Sequence, residues 1–265
     1  MTITSKLVES ARLRKFGSLF AELFLIVAGI LIALAIDGWA SDREGRQQEA
    51  TYLELLGRDV AEQRQEAEAQ LAFESDKVAK ARRAYTLLNS EDPAAHEAEL
   101  GTLLTDLSGR RTVYISGATY DQMVSNGHLQ LVRNQELRDQ IVRHFARMAR
   151  NESIIGKNNQ DLVDDIYTPF LMGVGISIRY GAGTTEVLLT RGTEILQEAL
   201  GEDFTIMSNP VLQRPPDAES WDEIRRNVLF RMRIASVGQA LAEALAEDAE
   251  VMARAIDTEL ARRDR

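Results

Sequence analysis

Three histidines, a triplet of aspartates and one glycine-rich run are the parts of this sequence with chemistry suited to a reactive site. His96, His128 and His144 form neither an HExxH pattern nor the i,i+4 pair that puts two imidazoles on one helix face for zinc. His128 follows an Asn126-Gly127 turn and reads as a surface or packing residue. His144 shares a helix face with Arg143, Arg147 and Arg150. Such a cluster suits an anion, although a solvated face or pairing with neighbouring acids is the commoner outcome. Asp161, Asp164 and Asp165 set two carboxylates at i,i+3 or i,i+4, a spacing that can hold a cation or share a proton but is usually just solvated. GVGISIRYGAG, Gly173–Gly183, lacks the Lys-Ser/Thr of a phosphate loop. Tyr114-Ile115-Ser116-Gly117 is not a GxSxG nucleophile elbow. There is no cysteine, hence no disulfide, thiol nucleophile or thiolate metal site. No catalytic residue, cofactor or metal ligand is assigned, and the chain is expected not to be an enzyme.

The elements that carry these residues read as helices. From Ser41 to about Asn89 there is no proline, and strong helix formers dominate. Apolar residues at Tyr52, Leu55 or Leu56, Val60, Ala67, Leu71, Val78, Ala81, Tyr85 and Leu88 keep helical spacing. Asn89 to Pro93 ends that helix. Short helices are expected at about 94–107 and 119–126, the latter closed by a left-handed Asn126-Gly127 cap. Arg111–Ser116 is a β-branched fragment too short to establish a sheet. Asn134 caps a run to about Tyr167, which Thr168-Pro169 stops or kinks. Thr184 or Thr185 starts a helix to Leu200. The last long helix spans 217–263, with an apolar stripe at Trp221, Ile224, Val228, Met232, Ala235, Val237, Leu241, Leu245, Met252, Ile256 and Leu260. No internal repeat at a fixed period is visible. The predicted fold is all-α: a single N-terminal transmembrane helix continuing into an antiparallel helical bundle.

The span rests on Phe16–Trp39, FGSLFAELFLIVAGILIALAIDGW. Phe16 to Ile36 carries one charge, Glu22, and as a helix reaches about 31 Å, enough for a hydrocarbon core of roughly 30 Å. Its uninterrupted apolar part, Leu23–Ile36, is shorter, so a buried core helix is an alternative reading. Arg12, Arg14 and Lys15 crowd one end and Trp39 sits at the other, as interfacial anchors do. Lys6, Arg12, Arg14 and Lys15 against Glu9 give residues 1–15 a net of +3. Arg43 and Arg46 against Asp37, Asp42, Glu44 and Glu49 give residues 37–50 a net of −2. The asymmetry predicts 1–15 cytoplasmic, 16–39 in the bilayer and 40–265 as an extracytoplasmic α-helical domain. A cleaved signal peptide is the rival reading, with Ala33-Leu34-Ala35 as its cleavage grammar. An anchor is preferred because the apolar run is long for a signal and polar helix follows it. On a helical wheel Ser18, Glu22, Gly29, Ala33 and Asp37 share one sector. Either they form a helix–helix contact in the membrane, with small residues permitting close approach, or Glu22 snorkels to the inner interface.

ELFLIVAGILIALAIDGWASDRE, Glu22–Glu44, resembles the N-terminal signature of an uncharacterised bacterial family of single-span membrane proteins, a domain of unknown function. YLELLGRDVAEQ, Tyr52–Gln63, and SNGHLQLVRNQELRDQIVRHF, Ser125–Phe145, fit the same resemblance. Ala21 before Glu22 and Asp37-Gly38 before Trp39 depart from its pattern. The resemblance implies a membrane anchor with a helical domain, and no activity.

With a net charge of −10, nucleic acid is not an expected partner. The lipid bilayer is, together with a second copy of the chain or another membrane subunit. The leading functional expectation is a bacterial inner-membrane binding or scaffolding protein, or an accessory subunit. Glu22, Gly29, Ala33 and Asp37 would serve assembly, and the Met123–Arg133 turn region would be a secondary contact. An extracytoplasmic ligand sensor acting through a partner is the alternative. A metal-assisted hydrolase using Asp161, Asp164 and Asp165 comes third.

Overall fold

The computed structural model describes residues 4–176, 191–192, 194–195, 198–199 and 209–263, and among these describes side chains from Phe24 onward except those of residues 26 and 263. The predicted helix from Thr184 or Thr185 to Leu200 lies largely outside the described residues, as does most of Gly173–Gly183.

All regular structure among the described residues is helical. Helix α1 runs unbroken over Thr4–Leu88 for 85 residues, about 128 Å at 1.5 Å per residue. A 3₁₀ turn at Pro93–His96 leads into α2, Glu97–Leu107. Then follow α3, Ala118–Ser125, and α4, Gln135–Lys157. A π-helical stretch, Asn158–Tyr167, leads into α5, Thr168–Gly173, and α6 is Ser220–Arg263. Asn134 caps α4 as its sequence suggests, its side chain accepting from Leu137 N at 3.2 Å. Gly127 adopts φ 70° after α3, the left-handed turn read from Asn126-Gly127.

α1 and α6 form an antiparallel pair, and their register is fixed by three contacts. Gly57 faces Ile256, Glu74 faces Gly238, and Arg225 Nε donates to the Leu88 carbonyl at 3.0 Å. The buried seam positions of α1 are Leu53, Leu56, Val60, Gln63, Ala67, Gln70, Glu74, Lys77, Ala81, Ala84 and Leu88, with Glu49 and Leu87 buried besides. Those of α6 run Trp221, Ile224, Val228, Arg231, Ala235, Gly238, Ala242, Leu245, Ala249, Met252 and Ile256, with Ile234 buried beside them. Both series alternate steps of three and four, the heptad of a coiled coil. A fixed period is therefore present. It escapes a search for apolar residues because several of its positions are polar.

Two hydrophobic cores flank this seam. One joins Leu53–Ala67 of α1 and Leu245–Ile256 of α6 to Met123, Ile141, Phe145 and Met148. The other joins Ala81–Leu88 and Trp221–Val228 to α2, Tyr167 and Leu171. The π-helical stretch has a packing reason. Ile155, Asn159, Val163, Tyr167 and Leu171 are all buried and repeat every four residues. A continuous α-helix would advance such a stripe by about 40° per repeat; wider π turns, at about 4.4 residues each, rotate it back. Thr168-Pro169 neither stops nor bends the chain into a loop. The helical run continues through it: Tyr167 and Thr168 keep right-handed helical backbone angles, and proline occupies the first turn of α5, at the junction with the π-helical stretch. Arg111–Ser116 is irregular rather than a strand, held to α1 by Arg111 NH2 to Glu66 Oε2 at 2.8 Å and Tyr114 N to Glu66 Oε1 at 3.3 Å.

Residues 24–41 project from this body, and their described side chains are exposed except for half-buried Ala28. Tertiary contact to α1 begins at Asp42, which accepts from Arg133 at 3.2 Å. No helix among the described residues is long and apolar enough to cross a membrane. The predicted transmembrane helix is not supported on that criterion: its first part, Phe16–Leu23, lies outside the described side chains.

Candidate functional site

Between the two cores the α1–α6 seam becomes polar. Gln70, Glu74, Lys77 and Arg231 occupy heptad positions with at most 6% of their surface exposed, where hydrocarbon would ordinarily pack. Glu74 is seated by a glycine. A Cβ at Gly238 would stand 2.7 Å from Glu74 Cδ, so the missing side chain is the space the carboxylate fills. Glycine inside a helix costs roughly 1 kcal/mol relative to alanine, and the seat is what that cost provides. Gln70 Nε2 donates to Glu74 Oε1 at 2.8 Å. Burial pushes Glu74 up from the ordinary carboxylate value, opposed by the positive fields of Arg231 and Lys77.

The two cations receive the end of α2. Lys77 Nζ donates to the Asp106 carbonyl at 2.7 Å. Arg231 Nε and NH2 donate to the Leu107 and Gly109 carbonyls at 2.8 and 3.2 Å. These carbonyls lie at the negative end of the α2 dipole, where helical partners run out. Gly109 permits the approach, since a Cβ there would meet Asp106 O at 3.1 Å and Lys77 Nζ at 3.3 Å. Lys80 Nζ reaches Asp106 Oδ2 at 2.9 Å. Burial first, and the neighbouring Lys80 charge second, pull Lys77 down to about 8.

A second buried network lies one heptad towards the amino end of α1. His144 is 1% exposed. Its Nδ1 is 2.8 Å from Asp248 Oδ2 and its Nε2 is 2.8 Å from Gln63 Oε1. Gln63 in turn donates to the Ser116 carbonyl, and Arg147 pairs with Asp248. Burial draws His144 below the ordinary histidine value while Asp248 acts against it. Both ring nitrogens are engaged, Nδ1 by a carboxylate and Nε2 by an amide oxygen. Of the outcomes expected for the His144 face, pairing with neighbouring acids holds for His144 and Arg147, whose shared acid Asp248 comes from α6, while the His144 ring itself is interior rather than solvated.

The other residues singled out by sequence are dispersed. Gly29, Ala33 and Asp37 lie exposed on the projecting part of α1, with nothing within 4 Å of a Cβ built at Gly29. Ser18, Glu22, Arg12, Arg14 and Lys15 are helical in α1, and their side chains are outside the described residues. Trp39 is 59% exposed, with the Arg43 guanidinium over its ring at 5.6 Å. His128 Nδ1 lies 2.6 Å from Tyr52 Oη, and His96 is half-buried. Asp164 pairs with Arg110 at 2.8 Å, whereas Asp161 and Asp165 are exposed. Among the described residues no three His, Asp or Glu side chains converge as metal ligands.

The residues that build the polar layer are Gln63, Gln70, Glu74, Lys77, Arg231 and Gly238, and none was singled out by motif. The signal that finds them is the heptad continuing through polar residues. Their donors and acceptors are mostly spent on one another and on α2, so the arrangement fixes register and docking. No family model matches the chain, and no curated protein or solved structure matches it.

Proposed function

We propose that this chain is a single-span, membrane-anchored helical scaffold or accessory subunit of a bacterial inner-membrane assembly, with no catalytic activity of its own. One observation carries the reading. From Phe24 to Trp39, large apolar side chains lie bare around the helix: Phe24 is 74% exposed, Leu31 60%, Leu34 62% and Ile36 61%. A water-exposed cylinder of this kind would drive aggregation, and a bilayer or a partner helix removes it from water. Counted together with Phe16–Leu23, whose one charge is Glu22, the stretch has the length of a span. The basic residues before it and Trp39 after it fit the two interfaces. The resemblance of Glu22–Glu44 to the single-span family supports the same reading.

In this reading Ser18, Glu22, Gly29, Ala33 and Asp37 form the seam with a neighbouring helix. The bundle, built around a register-locked coiled coil, holds its contact surface at a fixed distance from the membrane. Gentle extraction of the full chain from native membranes, followed by mass measurement and identification of co-purifying proteins, tests it. A stoichiometric second protein, or a homo-oligomer lost on Glu22→Leu or Gly29→Leu, supports it. A monomer indifferent to both substitutions removes the seam. For orientation, a reporter fused after Leu100 is expected to be active in the periplasm; activity confined to the cytoplasm reverses the topology.

A further inference from the structure

Where α1 leaves the bundle, a cavity of about 460 Å³ opens beside it, with Arg43, Arg46, Ala50 and Arg133 in its wall. The acids that share this wall, Glu49 and Glu259, are already engaged. Glu49 accepts from Arg133 N at 2.6 Å and lies 3.8 Å from Arg133 Nε. Glu259 accepts from Asn134 at 2.7 Å and pairs with Arg262 at 3.6 Å. Arg133 is balanced by Glu49 and by Asp42, 3.2 Å away. Among the described residues these ion pairs account for the corner, and none involves the exposed Arg43 or Arg46. Two guanidinium charges in one wall are thus left for a ligand, and a guanidinium fork suits phosphate oxygens.

The same face of α1 says what else the ligand carries. Leu25, Ile32, Ile36, Trp39, Arg43, Arg46 and Ala50 fall within a sector of roughly 80° at 3.6 residues per turn. The first four are bare: Leu25 is 72% exposed, Ile32 60%, Ile36 61% and Trp39 59%. From Leu25 to Trp39 this apolar stripe runs about 21 Å at 1.5 Å per residue, more than one leaflet of a hydrocarbon core roughly 30 Å thick. At its end the Arg43 guanidinium lies over the Trp39 ring at 5.6 Å, turned back towards the stripe. An apolar run the length of an acyl chain, an interfacial indole and then two cations match one molecule, a phospholipid. Phosphatidylcholine and phosphatidylglycerol share the phosphate, but choline adds a quaternary ammonium that two guanidiniums repel. We propose that Arg43 and Arg46 hold the phosphate of an anionic phospholipid whose acyl chain lies along Leu25, Ile32, Ile36 and Trp39. The site rests on the membrane-anchored reading and adds to it a lipid of stated charge, seated where the helix meets the bundle.

Trp39 reports on this lipid directly, because the other tryptophan, Trp221, is buried in the distant core. The test places the full chain in phosphatidylcholine nanodiscs containing a small, equal fraction of either brominated phosphatidylglycerol or brominated phosphatidylcholine, and compares the quenching of Trp39. The expected result is a several-fold preference for the brominated phosphatidylglycerol, lost in Arg43→Gln combined with Arg46→Gln. A third variant adds Ser41→Arg and Gln48→Arg to that pair, which restores the net charge on the opposite face of α1. A preference that stays lost in the third variant supports the site; one that returns means diffuse attraction to basic residues near the surface, and overturns it. Equal quenching of the native chain by both lipids overturns it while leaving membrane insertion intact. Titration of inorganic phosphate into the same native nanodiscs then shows whether the two arginines take a free anion instead. Quenching by neither lipid removes the membrane-anchored reading, and the lipid site with it.

Discussion

Glu74 and Gly238 show how a single missing side chain can decide what a helix seam contains. Intrinsic helix propensity favours Gly238→Ala by up to about 1 kcal/mol. Contact between the new Cβ and the Glu74 carboxylate, 2.7 Å away before any shift, opposes it by about 1–3 kcal/mol. The contact dominates, so Gly238→Ala is expected to lower the urea midpoint. With Glu74→Ala already in place the same substitution is expected to raise it; the same sign in both backgrounds would mean that the seat is not what Gly238 provides. Lys77 gives a pH signature at the same scale. Its folded value of about 8 lies below the roughly 10.4 of an unfolded lysine. Between those values the unfolded chain binds a proton that the folded chain does not, so stability rises with pH across the window. Relative to Lys77→Met, the native protein is expected to gain on the order of 2 kcal/mol between pH 8 and pH 10. A constant difference across that range would contradict the burial of this amine.

At the scale of elements, α1 and α6 are coiled-coil partners whose polar heptad positions serve a third helix. Lys77 and Arg231 cost the seam hydrophobic contact, and what they gain is the end of α2. Removing Arg231 as Arg231→Met strands the Leu107 and Gly109 carbonyls and takes from Glu74 the larger of its two countercharges, a loss of about 3–5 kcal/mol. Amide exchange in α2 is expected to accelerate well beyond that in α4; equal acceleration would mean that Arg231 supports the bundle generally and α2 no more than the rest. Most helices were legible from sequence. The Asn134 cap, the Asn126-Gly127 turn and the proline-free stretch after Ser41 are local signals, and each set an element boundary to within a few residues. The buried faces were less legible. A search for apolar spacing selects Leu71, Val78 and Tyr85, which are half-buried, over the fully interior Gln70, Glu74 and Lys77. In α6 it selects Val237, which is 47% exposed, beside the interior Gly238. Polar residues at core positions are invisible to hydropathy because their justification lies in partners far along the chain. The π turns are hidden similarly, since only the packing of Tyr167 and Leu171 distinguishes them from α.

As a whole molecule, the chain is a bundle with two apolar cores, a polar layer between them, and one helix that continues alone for many turns. The bundle accounts for its own stability without the projecting part, because contact with α1 begins only near Asp42. In the proposed reading the projection serves to be buried elsewhere, and its bare apolar surface supports that reading. Sequence alone pointed to that stretch; the register of α6 against α1 adds that nothing else among the described residues covers it. Cells producing the full chain, fractionated and washed with alkaline carbonate, test membrane insertion most directly. The account predicts that the chain stays in the membrane pellet after the wash and is released only by detergent, whereas Leu25→Arg combined with Ile32→Arg moves it to the supernatant. Recovery of the unaltered chain in the carbonate supernatant, folded and free of lipid, would contradict it.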